Sequence, residues 1–208
     1  MMRIDLSDSI GYWKYVWDVS NIDEIVSESI KLTKRVNSKH DGHGIWPDSK
    51  SKEWIQSNNL GIIGDIILDG IDKCEQLYES PYNLIEVGGW INIIDKSSPK
   101  QTIRDANTNE LIYHIHTEIE KEQGNPLPNY TFVFYIQMPD NLSNDDGKLF
   151  IKDKNGIEFG ILPEVGDLII LEGDVPHAPV DAPNSTKDRI VIAGNVTFQN
   201  IKTTKTLM

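Results

Sequence analysis

Five histidines occur in the 208 residues, and three of them stand where chemistry is expected. His114 and His116 are two apart in the run Glu110-Leu111-Ile112-Tyr113-His114-Ile115-His116-Thr117-Glu118, which reads as a β-strand over 110–118. Alternate side chains of a strand share a face, so these imidazoles would lie side by side, as paired metal ligands must. A lone His-x-His has a plainer reading, two surface histidines on a strand edge. His177 shifts the balance. It follows the turn Pro163-Glu164-Val165-Gly166, the apolar run 167–172 and a second turn, and Pro176 and Pro179 stiffen the backbone around it. A strand that returns the chain beside an earlier one can deliver this distant histidine to the pair. The expected metal ligands are His114, His116 and His177.

Arg189 heads the run Arg189-Ile190-Val191-Ile192-Ala193-Gly194-Asn195. A guanidinium leading an apolar strand is costly to bury unless it meets an anion, and its planar fork matches a carboxylate with two parallel bonds. An ion pair with Asp167, Asp174 or Asp188 is the structural alternative. Metal histidines beside a buried arginine make a coherent site for a carboxylate-bearing cosubstrate. His40 and His43, close to Trp46 and Trp54, lack a third ligand and read as part of a solvated loop. Cys74, the single cysteine, falls in an apolar-periodic segment and reads as a small core residue.

The elements that must position these residues divide the chain by periodicity. Residues 20–36 and 60–79 repeat their apolar positions at helical spacing, the first with Asp23 and Glu24 in its opening turn. From about residue 83 short β-type runs take over: 84–94, 110–118, 130–138, 148–152, 157–162, 167–172 and 189–198, separated by turn chemistry such as Asn155-Gly156. Helices followed by many short strands predict a mainly β fold with flanking helices, a double-sheet jelly roll braced by N-terminal helices. One domain is expected over 1–208, with 1–82 as helical support and 83–200 as the jelly-roll core.

Composition narrows the function classes. A net charge of −12 argues against a direct grip on nucleic acid, which needs clustered Lys and Arg. No apolar run is long enough to cross a bilayer. The amino terminus carries acid where a signal peptide needs positive charge, and a cytoplasmic location is expected.

At this point the run from about 86 to 198 resembles the 2-oxoglutarate/iron(II)-dependent oxygenases, especially a small phage-associated group related to prolyl hydroxylases. The matching pieces are Trp90-Ile91-Asn92, Tyr113-His114-Ile115-His116, Phe132-Val133-Phe134-Tyr135-Ile136 with Pro139, and Gly147-Lys148-Leu149-Phe150. Pro163–Asp167, Val175-Pro176-His177 and Arg189–Asn195 follow in the same order. The resemblance implies a double-stranded β-helix that binds iron(II) through His114, His116 and His177. It implies that Arg189 holds the far carboxylate of 2-oxoglutarate with help from Tyr135, and that Asn92 lines the cosubstrate pocket. It further implies a dioxygenase of the hydroxylase type that uses O2, is stimulated by ascorbate, and acts on a small molecule or a peptide side chain. If the protein is phage-encoded, its compartment is the cytoplasm of the host cell.

One departure stands out. The wider superfamily uses His-x-Asp/Glu with a distal histidine, whereas His116 occupies the carboxylate position here. Shifting the frame by two pairs His116 with Glu118, and strand alternation cannot choose, since 114, 116 and 118 would all share a face. The related group often shows His-x-His, which favours His114. Two other readings use the same residues. A cupin-type metal protein that does not use 2-oxoglutarate would add Glu120, but leaves Arg189 without a task. A non-enzymatic jelly-roll module would need no metal. The substrate and the oligomeric state are not encoded in any motif found.

Overall fold

The runs rich in Val, Ile, Phe and Tyr form the strands, since such side chains suit a pleated, well-packed surface. The fold is given by a computed structural model, which describes residues 2–7, 10–16, 20, 22–27, 69, 82–94, 105, 107–108, 110–123 and 130–200. Two antiparallel sheets result. The larger comprises β1 (Met2–Ser7), β2 (Ile10–Val16), β3 (Tyr82–Ile94), β4 (Tyr130–Gln137), β7 (Asp167–Glu172) and β9 (Arg189–Asn200), in the order β1-β2-β7-β4-β9-β3. The smaller comprises β5 (Leu149–Lys152), β6 (Glu158–Ile161) and β8 (His177–Pro179), in the order β6-β5-β8. Neighbours that are distant in sequence, β2 beside β7 and β4 between β7 and β9, are the crossovers of a jelly roll. The architecture is a mainly β double-stranded β-helix.

The core lies between the sheets. Val133, Tyr135, Ile169, Leu171 and Val191 of the larger sheet cluster with Leu149 and Ile151 of the smaller one, together with Tyr12 and Val175. Phe132, Phe134, Leu168, Ile170 and Ile192 alternate with the first set along the same strands and are also withdrawn from solvent. A sheet covered on both faces reads as continuous apolar sequence instead of alternation, which is how β4 and β7 read. Each such large side chain contributes about 1.5–3 kcal/mol by leaving water.

Turn chemistry fixes the register. Between β5 and β6 the Asp153 carboxylate accepts from the N–H groups of Asn155 and Ile157 at 2.8 and 2.9 Å, and Gly156 takes φ +82°, a conformation that disfavours a Cβ. Ahead of β7, Gly166 has φ +92°, and the N–H of Glu164 donates to the Asp167 carboxylate at 2.8 Å. Among the described residues no helix is long and apolar enough to cross a membrane.

Two expectations change. The region 1–82 opens with strands β1 and β2 at the edge of the larger sheet, in place of helical support alone. Its 20–36 helix is seen at residues 22–27, where Ile25 is buried. Most of the 60–79 segment, Cys74 and the 40–54 loop with His40, His43, Trp46 and Trp54 lie outside the described residues. The second change is local and matters more. Residues 110–118 do not form a strand. His114 makes an isolated bridge, and a helix begins at His116 and runs His116–Gln123. Its sequence, rich in Glu, Lys and Gln with Lys121 in the last turn, suits a helix in both propensity and dipole.

Candidate metal centre

His114 and His177 meet through the backbone. His177 opens β8, which pairs with β5 so that His177 lies opposite Ile151, a fully buried residue of the core. On its other side the N–H of His114 donates to the His177 carbonyl and the N–H of His177 donates to the His114 carbonyl, both at 3.1 Å. Residues that exchange both bonds in an antiparallel bridge project their side chains to one side. The two ring centroids are accordingly 4.2 Å apart. A single reciprocal pair, not a ladder, therefore makes two ligands adjacent.

His116 arrives differently. The chain turns into the helix at this residue, and the N–H of Thr117 donates to the Gly173 carbonyl at 3.2 Å, which ties the helix start to the turn that precedes His177. The His116 ring then lies 5.2 Å from that of His114 and 5.1 Å from that of His177. One nitrogen from each of the three rings lies within 4.8 Å of the others. Two metal–nitrogen bonds of about 2.1 Å span roughly 3–4 Å, so small ring movements close the set on one ion.

The protonation pattern suits ligation. The Nδ1 of His177 donates to the Val175 carbonyl at 2.9 Å, and the Nδ1 of His116 donates to the Asn195 amide oxygen at 2.6 Å. Each bond places the ring proton on Nδ1 and leaves the Nε2 lone pair for a metal. Burial pushes the His116 pKa down to about 4, with the neighbouring His114 adding to the effect and the Asn195 bond opposing it. Burial likewise lowers His114 and takes His177 well below the usual histidine range. All three are neutral donors at physiological pH, and buried neutral imidazoles fit a first-row divalent ion.

Arg189 stands at the start of β9 and is only 4% exposed. The alternative partners drawn from the sequence do not take it. Asp167, 1% exposed, pairs with Lys14 at 2.7 Å. Asp174 is exposed, and Asp188 contributes its carbonyl to the Gln137 amide. Arg189 makes a long side-chain hydrogen bond, from Nη1 to the Val180 carbonyl at 3.4 Å, three residues past His177. Its guanidinium carbon is 5.5 Å from the ring centroid of Tyr135, a fully buried residue. Beyond the weak contact between the two residues themselves, neither the Tyr135 hydroxyl nor Arg189 Nε has a hydrogen-bond partner. Burial drives the Tyr135 pKa up to about 12, against the pull of Arg189. Asp181, half-buried nearby, has its carboxyl raised by burial while Arg189 opposes the rise. Two buried groups able to donate are thus left unspent at one place, which is costly unless an acceptor joins them.

No protein-family profile matches the chain, and no curated protein matches it in sequence. Solved structures do. A Pseudomonas putida prolyl-4-hydroxylase aligns over 90% of this chain and 92% of its own, with TM-score 0.52 and 15% identity. HygX from Streptomyces hygroscopicus, determined with nickel and 2-oxoglutarate bound, aligns over 91% and 83%, with TM-score 0.54 and 12% identity. A prolyl hydroxylase from Trichoplax adhaerens, in complex with a hypoxia inducible factor peptide fragment, aligns over 89% and 82%, with TM-score 0.52 and 12% identity. The chain shares its fold with these proteins.

Within this fold the structure gathers His114, His116 and His177 and sets Arg189 against Tyr135. Asn92 stands opposite Val191 in the register of β3 and β9, and its side chain is outside the described ones. The frame that paired His116 with Glu118 rested on strand alternation, which the helix His116–Gln123 replaces, and the Glu118 side chain is outside the described ones. Sequence reasoning missed Asn195 as a partner of His116. The signal was available: period two along β9 puts Arg189, Val191, Ala193 and Asn195 on one face, and the two polar members bracket the site.

Proposed function

We propose that this protein is a 2-oxoglutarate- and iron(II)-dependent oxygenase that hydroxylates a small molecule or a protein side chain. In this reading His114, His116 and His177 hold the metal, and Arg189 with Tyr135 receives the distal carboxylate of the cosubstrate. The single observation that carries the reading is the pair of buried donors, Arg189 Nε and the Tyr135 hydroxyl, with no partner beyond each other, in the same fold as a largely buried three-histidine cluster. Iron(II), when bound, supplies activation of O2 coupled to oxidative decarboxylation of 2-oxoglutarate to succinate and CO2.

The chain's own residues do the rest. Arg189 matches a carboxylate with two N–H groups, and Tyr135 adds a third donor, its phenol held protonated across the physiological range. The Nδ1–H bonds to Val175 and Asn195 hold two imidazoles with Nε2 inward. The apolar walls contributed by Val133, Val191 and Ile151 keep bulk water from the interior.

The test is binding, then turnover. Protein loaded with iron and supplied with 2-oxoglutarate and ascorbate is expected to release succinate. Manganese-loaded protein is expected to bind 2-oxoglutarate, and Arg189→Leu is expected to lose that binding roughly 10- to 100-fold while retaining metal. Metal-loaded wild-type protein that shows no affinity for 2-oxoglutarate would sink the proposal. The all-imidazole donor set favours a second reading, a cupin-type metal protein that does not use 2-oxoglutarate; it predicts that Arg189→Leu changes nothing at the metal or in ligand binding.

A further inference from the structure

His116 is the ligand with the least backbone support. His114 and His177 are fixed to each other by two backbone hydrogen bonds, whereas His116 sits on the first residue of a short helix. A ring on such a perch needs a side-chain anchor to point reproducibly. The structure supplies one from across the interior: Asn195, on β9 of the larger sheet, whose amide oxygen lies 2.6 Å from His116 Nδ1. An amide oxygen can only accept, so Nδ1 must donate and Nε2 is left as the ligand atom.

The chemistry of this anchor has a second aspect. Ligating histidines commonly donate to a carboxylate, which makes the imidazole more electron-rich and offsets part of the metal's charge. Here the acceptor is a neutral amide for His116 and a backbone carbonyl for His177. The three ligands are neutral as well, and among the described residues no carboxylate joins the cluster. A divalent ion in this setting keeps its whole charge, and that charge must be met by whatever anion enters the open positions.

We infer that Asn195 is a positioning residue for the metal ligand His116, and that its being an amide and not a carboxylate keeps the centre two units positive for an anionic, chelating ligand. The inference rests on the proposed metal and cosubstrate reading, and it predicts different effects for two substitutions at this one position. Removing the acceptor takes away the bond that sets the Nδ1 side of the ring; replacing it with a carboxylate keeps that bond but adds negative charge behind the metal.

The test uses the full-length protein, cobalt(II) as the metal probe and 2-oxoglutarate as the anion probe. Cobalt affinity and the visible ligand-field spectrum report on the ligands without any turnover. Asn195→Ala is expected to weaken cobalt binding about 10- to 100-fold. Asn195→Asp is expected to bind cobalt at least as tightly as wild type, yet to bind 2-oxoglutarate roughly tenfold more weakly, as one added charge at close range requires. Circular dichroism and melting of the metal-free variants identify any that fail to fold. If only the alanine variant does, the aspartate variant decides alone. Wild-type cobalt affinity in a folded Asn195→Ala protein overturns the inference, and so does a folded Asn195→Asp protein that loses cobalt like the alanine variant. Unchanged 2-oxoglutarate affinity in Asn195→Asp overturns the charge argument. Wild-type protein that binds cobalt but no 2-oxoglutarate instead defeats the proposed function and the charge argument with it, while the two cobalt affinities still decide the positioning role.

Discussion

Acid should unfold the metal-free protein through the histidine cluster, and the size of the effect can be worked out from His116. Burial lowers its pKa from 6.5 in the unfolded chain to about 4 in the folded one. Above pH 6.5 both states hold the neutral ring and the group leaves stability unchanged. As the pH falls below 6.5 the unfolded chain takes up a proton that the folded protein refuses, so stability is lost with decreasing pH until about pH 4. The slope is about 1.4 kcal/mol per pH unit for each such group. Across the window His116 alone costs about 3 kcal/mol, and the lowered pKa values of His114 and His177 act in the same direction. Urea unfolding of metal-free protein between pH 7.5 and 4.5, followed by fluorescence of the five tryptophans, measures the total. Carboxylates also titrate near the lower end, so the informative quantity is the difference between wild type and His116→Gln. That difference should narrow, or reverse in favour of the variant, by about 1 kcal/mol for each pH unit between 6.5 and 5. A constant difference over this interval would refute the reasoning, since it would mean that His116 is protonated as readily folded as unfolded.

Other perturbations separate structure from ligand binding. Tyr135→Phe removes a buried hydroxyl that has no partner beyond a weak contact with Arg189, so the metal-free protein should melt at nearly the same temperature or higher while its 2-oxoglutarate affinity falls about tenfold or more, by calorimetry on metal-loaded protein. Lys14→Met strands the Asp167 carboxylate in the interior and should destabilise by about 3–5 kcal/mol in urea unfolding, and Lys14→Met with Asp167→Asn should recover most of that loss. Gly156→Ala, at φ +82° with open space around the Cβ position, should cost about 1 kcal/mol from backbone strain alone.

The jelly roll was legible because its strands announce themselves twice. β4 and β7 are unbroken apolar runs with β-branched and aromatic residues, and the turns between strands carry Gly156 and Gly166 where positive φ is needed. β1 and β2 were not legible. Their sequences, MRIDLS and IGYWKYV, are short and mixed, and what holds β2 is pairing with β7, a partner about 150 residues away that no local pattern can reveal. The three histidines were found for a partly mistaken reason. Strand alternation is not what unites His114 with His116; a bridge holds the first and a helix start holds the second. Alternation and helix signals overlap in Leu111–Glu118, where apolar residues alternate yet Glu, Lys and Gln dominate just beyond. Arg189 was legible as a buried charge seeking an anion. Its freedom from Asp167 was not, because that depends on Lys14 arriving from β2.

The reciprocal bond between His114 and His177 also bears on how the chain is tied. The two residues are 63 positions apart in the sequence. An ion held by both would act as a removable cross-link, closing a long loop of the unfolded chain in the manner of a disulfide. For a loop of that length the chain-entropy estimate is about 4 kcal/mol at 25 °C. Loading the metal would then do more than equip a site. It would lock the returning strand to the segment it meets, and chelation would loosen the same join from which the helix His116–Gln123 departs.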